Sequence, residues 1–140
     1  MIKITKETSV SIDDVLHLYQ AVGWTNYTNQ PHMLAQALSH SLATYLAHDG
    51  EEIVGLVRLI GDGFSSVFVQ DLIVLPTYQR QGIGSTLMKR ALADYKDAYQ
   101  VQLATEQTEK TLGFYRSLGF EALSSFQCTG MIWVNRKNLK

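Results

Sequence analysis

The stretch Val69-Gln70-Asp71-Leu72-Ile73-Val74-Leu75-Pro76-Thr77-Tyr78-Gln79-Arg80-Gln81-Gly82-Ile83-Gly84-Ser85-Thr86-Leu87-Met88 reads as a buried strand halted by a proline, a basic loop, and the entry to an amphipathic helix. Gly82 and Gly84 lack a Cβ, so backbone amides there can approach a ligand closely. At a helix N-terminus such amides have no intrahelical partners and the macrodipole favours negative charge, which suits a phosphate or pyrophosphate. Arg80 adds a positive charge. A Walker loop is excluded because no lysine follows Gly84 before Met88. A dinucleotide fingerprint wants a third glycine where Leu87 stands and a tight turn out of the strand, although Glu106 falls where that motif places an acid.

Working outward, the flanks sort into strands and helices. Ile2 to Thr5 reads as a strand. Ser11 reads as an N-cap with Asp14 in the N3 place, followed by Val15, Leu18, Tyr19 and Val22 at helical spacing up to Gly23. Pro31 opens a second helix striped by Leu34, Leu38 and Leu42. Three strands in meander order follow, Thr44 to His48, Ile53 to Ile60 and Val67 to Leu75, joined at Asp49-Gly50 and Gly61-Asp62-Gly63. A helix over Ile83 to Lys96, a strand over Val101 to Thr105 and a helix over Glu109 to Leu118 come next. Strands over Ala122 to Phe126 and Met131 to Val134 close the chain.

Gln79-Arg80-Gln81-Gly82-Ile83-Gly84 resembles the Gln/Arg-x-x-Gly-x-Gly/Ala motif of the GCN5-related N-acetyltransferase (GNAT) superfamily. Leu72-Ile73-Val74-Leu75-Pro76 before it and Gly113-Phe114-Tyr115-Arg116-Ser117-Leu118-Gly119-Phe120 after it extend the resemblance over about Val67 to Phe120. The element order is similar too. The resemblance implies an α/β fold: a central mixed, mostly antiparallel sheet with a splayed strand pair, flanked by helices. Residues 1–140 are then one GNAT N-acetyltransferase domain, a size that buries a real core.

The same resemblance assigns roles. Leu72, Ile73 and Val74 hold the pantetheine arm of acetyl-CoA by backbone bonds. Gln79, Arg80, Gln81, Gly82, Ile83, Gly84 and Ser85 hold its pyrophosphate. Tyr115 is the expected proton donor to the leaving thiolate, because a phenol of pKa about 10 matches that leaving group's basicity. Family members carry Asn where this chain has Thr108 and Ala where it has Thr111, so these two threonines are the expected replacement contacts to the cofactor. Gln70 occupies a position where many members place a glutamate base. A neutral amide cannot take the proton, so Gln70 is expected to position a water or the amine itself. Asp71, by strict alternation, is expected on the opposite face in a structural role.

Tyr19, Trp24 and Tyr27, with Tyr45, are expected to line the acceptor side together with Gln70 as an aromatic wall for a small amine. His17, His32, His40 and His48 show no ligand-pair spacing and read as surface or cap residues, so no metal is expected. Cys128 is the sole cysteine, which excludes an intrachain disulfide; in its apolar setting it reads as a packed thiol.

Composition bounds the partners. At 46% hydrophobic and 18% charged residues the chain looks globular rather than disordered, and a net charge of -1 gives no electrostatic footprint for nucleic acid. No apolar run approaches the roughly 18 residues needed to span a bilayer and the first residues lack a signal peptide's hydrophobic stretch, so a cytoplasmic protein is expected. The expected partners are acetyl-CoA and a small primary amine, a homodimer being left open. The alternatives are a non-catalytic acyl-CoA binding module, transfer to a protein amine, and a nucleotide-binding α/β protein disfavoured by the missing glycine.

Overall fold

A computed structural model describes residues 1–135. They form two compact units, Met1–Ala104 and a shorter one beginning at Thr105. The first unit contains β1 (Ile2–Glu7), α1 (Ile12–Ala21), α2 (Thr25–Thr28), α3 (Pro31–Ser39), β2 (Ala43–Asp49), β3 (Glu52–Gly61), β4 (Ser66–Val74), α4 (Ile83–Asp94) and β5 (Gln100–Leu103). Strand order in the sheet is the chain order, antiparallel except for the parallel β4–β5 pair. This is the mixed, mostly antiparallel sheet expected from the sequence. The one-turn helix α2 was not expected, because a single turn is too short to show a hydrophobic period.

Local chemistry explains the boundaries. The Ser11 side chain accepts from the Asp13 amide over 3.3 Å, and Asp13 and Asp14 in the first turn favour the N-terminal end of the α1 dipole. Pro31 sits in the first turn of α3, where its missing N–H costs nothing. Between β3 and β4, Gly61 adopts φ 126° and a Cβ there would lie 2.3 Å from the Ser66 carbonyl oxygen, so only glycine fits. The Asp62 side chain then gathers the amides of Phe64, Ser65 and Ser66 and the Ser65 hydroxyl, which closes the turn.

The sheet is covered on both faces. Val15, Leu18 and Tyr19 of α1, Tyr27 of α2 and Leu34 and Leu38 of α3 pack on Leu46, Leu56 and Ile73. On the other face α4 buries Ile83, Leu87, Met88 and Ala91. Its Leu87 comes so close to β3 that a Cβ on Gly55 would stand 3.3 Å from the Leu87 Cδ1 atom. Each such fully buried aliphatic side chain contributes about 1.5 to 3 kcal/mol. Tyr45, one residue before Leu46, points to the α4 side, where its hydroxyl donates to Asp94 at 2.8 Å.

Two irregularities in β4 shape its C-terminal half. The parallel ladder with β5 ends at the pair Val69 and Leu103, so from Gln70 to Val74 that side of β4 has no ladder partner among the described residues, whereas β3 pairs it through Val74. Second, Arg58 faces Asp71 while Leu59 faces Val69, leaving Gln70 as the extra residue of a β-bulge.

In the second unit, α5 (Glu109–Ser117) is followed by Gly119 at φ 98° and a 3-10 turn at Leu123–Phe126. The two closing strands expected at Ala122 to Phe126 and Met131 to Val134 are not formed. Among the described residues of this unit no other strand offers a ladder, and apolar alternation without a partner does not make a strand. Met131, Ile132 and Trp133 are exposed as a result, and so is Cys128, contrary to the packed thiol expected.

Candidate active site

The site begins at the end of β4. Leu72 and Val74 are half-buried and Ile73 is buried in the core, while the backbone of this stretch lies along the side without a ladder partner. After a 3-10 turn at Pro76–Tyr78, the Gln79 side chain donates to the Val74 carbonyl over 3.1 Å and ties the loop back to the strand. Tyr78 anchors it from the other side by donating to Asp49 at 2.6 Å; that bond is the first cause of a phenol pKa pushed up to about 12. Arg80 takes a left-handed φ of 66°, rare for a side-chain-bearing residue, and Gly82 takes φ 81° as the N-cap of α4. Apart from its own chain neighbours, no atom lies within 4 Å of where a Gly82 Cβ would stand, so the space beside Gly82 is open. Gln79, Arg80, Gln81 and Gly82 are exposed, Gly84 and Ser85 are half-buried, and Ile83 packs inward. The amides at the start of α4 with an arginine beside them can hold an anion, and the β4 backbone without a ladder partner that precedes them can hold an extended amide-bearing arm.

Beside Gln70 lies a buried polar network that sequence reasoning missed. Arg58 and Asp71 are 4% and 2% exposed, which makes their pairing obligatory. The Asp71 Oδ2 atom accepts from Arg58 Nε–H at 2.8 Å and from the Tyr19 hydroxyl at 2.8 Å, and its Oδ1 accepts from the Tyr27 hydroxyl at 2.9 Å. Arg58 also donates from Nη1 to Ser41 at 3.2 Å and from Nη2 to the Tyr27 oxygen at 3.2 Å. Gln70 Nε2 donates to that same oxygen at 3.3 Å. Strict alternation would send Gln70 and Asp71 to opposite faces; the bulge lets both reach one hydroxyl. Burial, then Asp71, push the Tyr19 phenol far above its ordinary pKa, and the same two causes raise Tyr27. For Arg58 burial, the largest single cause, works the other way, but the charge and hydrogen bond of Asp71 together with Tyr19 and Tyr27 raise the guanidinium pKa. The signal was a charged pair inside two apolar strands, but its geometry depends on a bulge that no period reveals.

The aromatic residues expected on the acceptor side divide. Tyr19, Trp24 and Tyr27 form a ring cluster, with centroids 5.0 Å apart for Tyr19 and Tyr27, 6.2 Å for Tyr19 and Trp24, and 6.3 Å for Trp24 and Tyr27. Tyr19 has no exposed surface and serves the core, whereas Trp24 is half-exposed. Tyr45 stands apart: it is buried on the α4 side, with Lys6 and Arg90 over its ring.

In the second unit Tyr115 is half-buried, edge-on to Phe114 at 5.0 Å and to Phe120 at 5.9 Å. Burial raises its pKa and a hydrogen bond with Thr105 works against the rise, so the phenol keeps its proton at neutral pH. Thr108 caps α5: its Oγ1 accepts from the Thr111 amide at 3.2 Å and donates to the Thr111 hydroxyl at 2.9 Å. His17 bonds to the Ile53 carbonyl, His40 caps α3 and His48 bonds to Thr5. Among the described residues no cluster of metal-ligating side chains occurs, and no helix is long and apolar enough to cross a membrane.

The model of the acetyltransferase (GNAT) domain matches residues 40–122, which is more than half of the chain and includes all of β4, the loop and α5. The chain belongs to the GNAT family. A GNAT family acetyltransferase from Streptococcus pneumoniae TIGR4 is 71% identical to this chain, with 97% of this chain and 99% of its own covered, and superposes with a TM-score of 0.89. Among curated relatives, serotonin N-acetyltransferase 2 of Oryza sativa subsp. japonica is 29% identical over 81% of this chain and 58% of its own length. A histone acetyltransferase of Glycine max is 28% identical over 89% of this chain and 57% of its own. The chain spans about three fifths of the length of these curated relatives.

Proposed function

We propose that this GNAT domain transfers an acetyl group from acetyl-CoA to the primary amine of a small molecule, by direct attack in a ternary complex. The observation that carries the reading is the open side of β4 from Gln70 to Val74 running into the amides at the start of α4. Leu72, Ile73 and Val74 pair through their backbones with the amides of the pantetheine arm. Arg80 and the amides from Gln81 to Ser85 hold the pyrophosphate, while Gln79 braces the loop. The fit to the cofactor rests on Gly82, whose left-handed turn and missing Cβ leave the cradle clear.

The chemistry needs an unprotonated amine, a polarised thioester and a proton for the departing sulfur. The amine nitrogen forms the new C–N bond, a backbone amide of β4 supports the oxyanion, the C–S bond breaks, and Tyr115 protonates the thiolate. Tyr115 takes this role on the family resemblance and on a phenol that stays protonated. Gln70 positions the amine or a water that carries its proton away. Trp24 and Tyr27 supply the aromatic side of the acceptor site.

Transfer to a protein amine is the second reading, favoured by the relative named as a histone acetyltransferase. Thiol release from acetyl-CoA with serotonin, kanamycin and a lysine-bearing peptide as acceptors separates the two. Turnover of either small amine supports the first, turnover of the peptide alone supports the second, and calorimetric binding of acetyl-CoA without any turnover overturns both in favour of a binding module.

A further inference from the structure

We infer that Tyr27 is a positioning residue: gripped by the buried Arg58 and Asp71 pair, it fixes the Gln70 carboxamide with nitrogen inward and oxygen outward, so that Gln70 presents a hydrogen-bond acceptor to the N–H of an incoming amine. The argument is a count of donors and acceptors. A tyrosine hydroxyl has one hydrogen to give and two lone pairs to fill. Tyr27 gives its hydrogen to the Asp71 Oδ1 atom at 2.9 Å, the strongest acceptor in reach because it is a buried carboxylate. Its lone pairs then face Arg58 Nη2 at 3.2 Å and Gln70 at 3.3 Å.

Only an N–H donor satisfies that last position. A reversed carboxamide would set Gln70 Oε1 against an oxygen whose hydrogen is committed elsewhere, and two acceptors in contact repel. The polarity of the amide is therefore set by Asp71, which does not touch it. With Nε2 anchored, Oε1 is directed away from Tyr27; among the described residues no donor meets it, and Gln70 is exposed. The acceptor sits where the β4 ladder to β5 has just ended. A nitrogen bearing hydrogen matches it, whereas a carboxylate would meet oxygen with oxygen.

The ligand's identity rests on the acetyltransferase reading; the orientation does not, and two measurements keep them apart. In ¹⁵N-labelled protein the side-chain amide protons of Gln70 are expected to exchange with water more slowly than those of the exposed Gln20. In Tyr27→Phe, which keeps the ring, they should match Gln20, and exchange unchanged by the substitution overturns the inference. The second measurement is a cycle of Tyr27→Phe and Gln70→Ala, read as kcat/KM for whichever of serotonin, kanamycin or the lysine peptide releases most thiol. Tyr27→Phe should cost about 3- to 10-fold when Gln70 is present and less than about twofold when it is alanine, because the effect travels through the amide. Equal losses in both backgrounds mean that Tyr27 only packs, and overturn the inference. Absence of transfer to all three amines sinks the acetyltransferase reading, while the exchange rates still decide the orientation.

Discussion

Arg58 and Asp71 face each other directly across the β3–β4 ladder, and the Arg58 Nε–H donates to Asp71 Oδ2 over 2.8 Å with both side chains buried. Replacing one partner leaves the other charge in a place water does not reach. Arg58→Met is therefore expected to destabilise the fold by about 3 to 5 kcal/mol, measured by urea unfolding. The double variant Arg58→Met with Asp71→Leu should be less harmful than Arg58→Met alone, because the stranded carboxylate goes. A loss below about 1 kcal/mol for Arg58→Met would mean that the pair is not buried in solution.

Much of this architecture is legible in the sequence where the cause is local. Ser11, Pro31 and Gly82 mark helix starts because caps and fixed φ values act within a turn, and the hairpin at Gly50 is written in its turn residues. What stayed hidden depends on distant pairing. The bulge at Gln70 is a register difference between β3 and β4, so an alternation rule placed Asp71 on the wrong side of its neighbour's chemistry. The segment Met131 to Val134 has strand-like residues but, among the described residues, no ladder to join. Tyr19 and Tyr45 look alike as aromatics near apolar runs, yet one serves the α1 face and the other the α4 face of the sheet.

Gly82→Asp is expected to weaken acetyl-CoA binding at least tenfold, about 1.4 kcal/mol, in a calorimetric titration. The aspartate brings a negative charge to the amides that would meet the pyrophosphate. The space around Gly82 is empty, so the fold should survive with only the backbone strain of a side chain at φ 81°, about 1 to 2 kcal/mol. Gly82→Asn carries nearly the same shape without the charge and should lose clearly less affinity. Equal affinity in all three proteins would show that the loop is only a turn.

Tyr115→Phe should lower kcat by roughly 10- to 1000-fold with little change in acetyl-CoA affinity, since the ring and its contacts with Phe114 and Phe120 are kept. Burial raises the phenol pKa, so the wild type should show no loss of the proton donor until pH exceeds the ordinary tyrosine value of about 10. Activity within a factor of two of the wild type would assign Tyr115 to packing.

Asp62 offers a test of acid stability. Hydrogen bonds from the Ser65 hydroxyl and the amides of Phe64, Ser65 and Ser66 hold its carboxyl well below the usual range. A carboxyl whose pKa is depressed by folding contributes stability that is present above its unfolded value, about 3.9, and is lost as pH falls through the folded value. Asp62→Asn should therefore lower Tm at pH 7 and flatten its fall below pH 4. A variant whose melting curve parallels the wild type at every pH would show that the turn does not need the charge.

Gln70 stands where the reacting amine is expected, and a carboxamide cannot take its proton. If the proton leaves through water, the rate should follow the free-amine fraction of the acceptor and rise with pH until that amine has titrated. Gln70→Ala removes only a positioning contact and should cost about tenfold. Gln70→Glu places a carboxylate beside a tyrosine oxygen whose hydrogen belongs to Asp71, so the new side chain is turned away from Tyr27 towards the open side of β4. There it can accept the proton directly and should add activity below the pKa of the amine. A wild-type profile with a limb near pH 6 to 7 that tracks no acceptor pKa, and that vanishes when a single histidine is replaced, would refute the water route and point to an imidazole base.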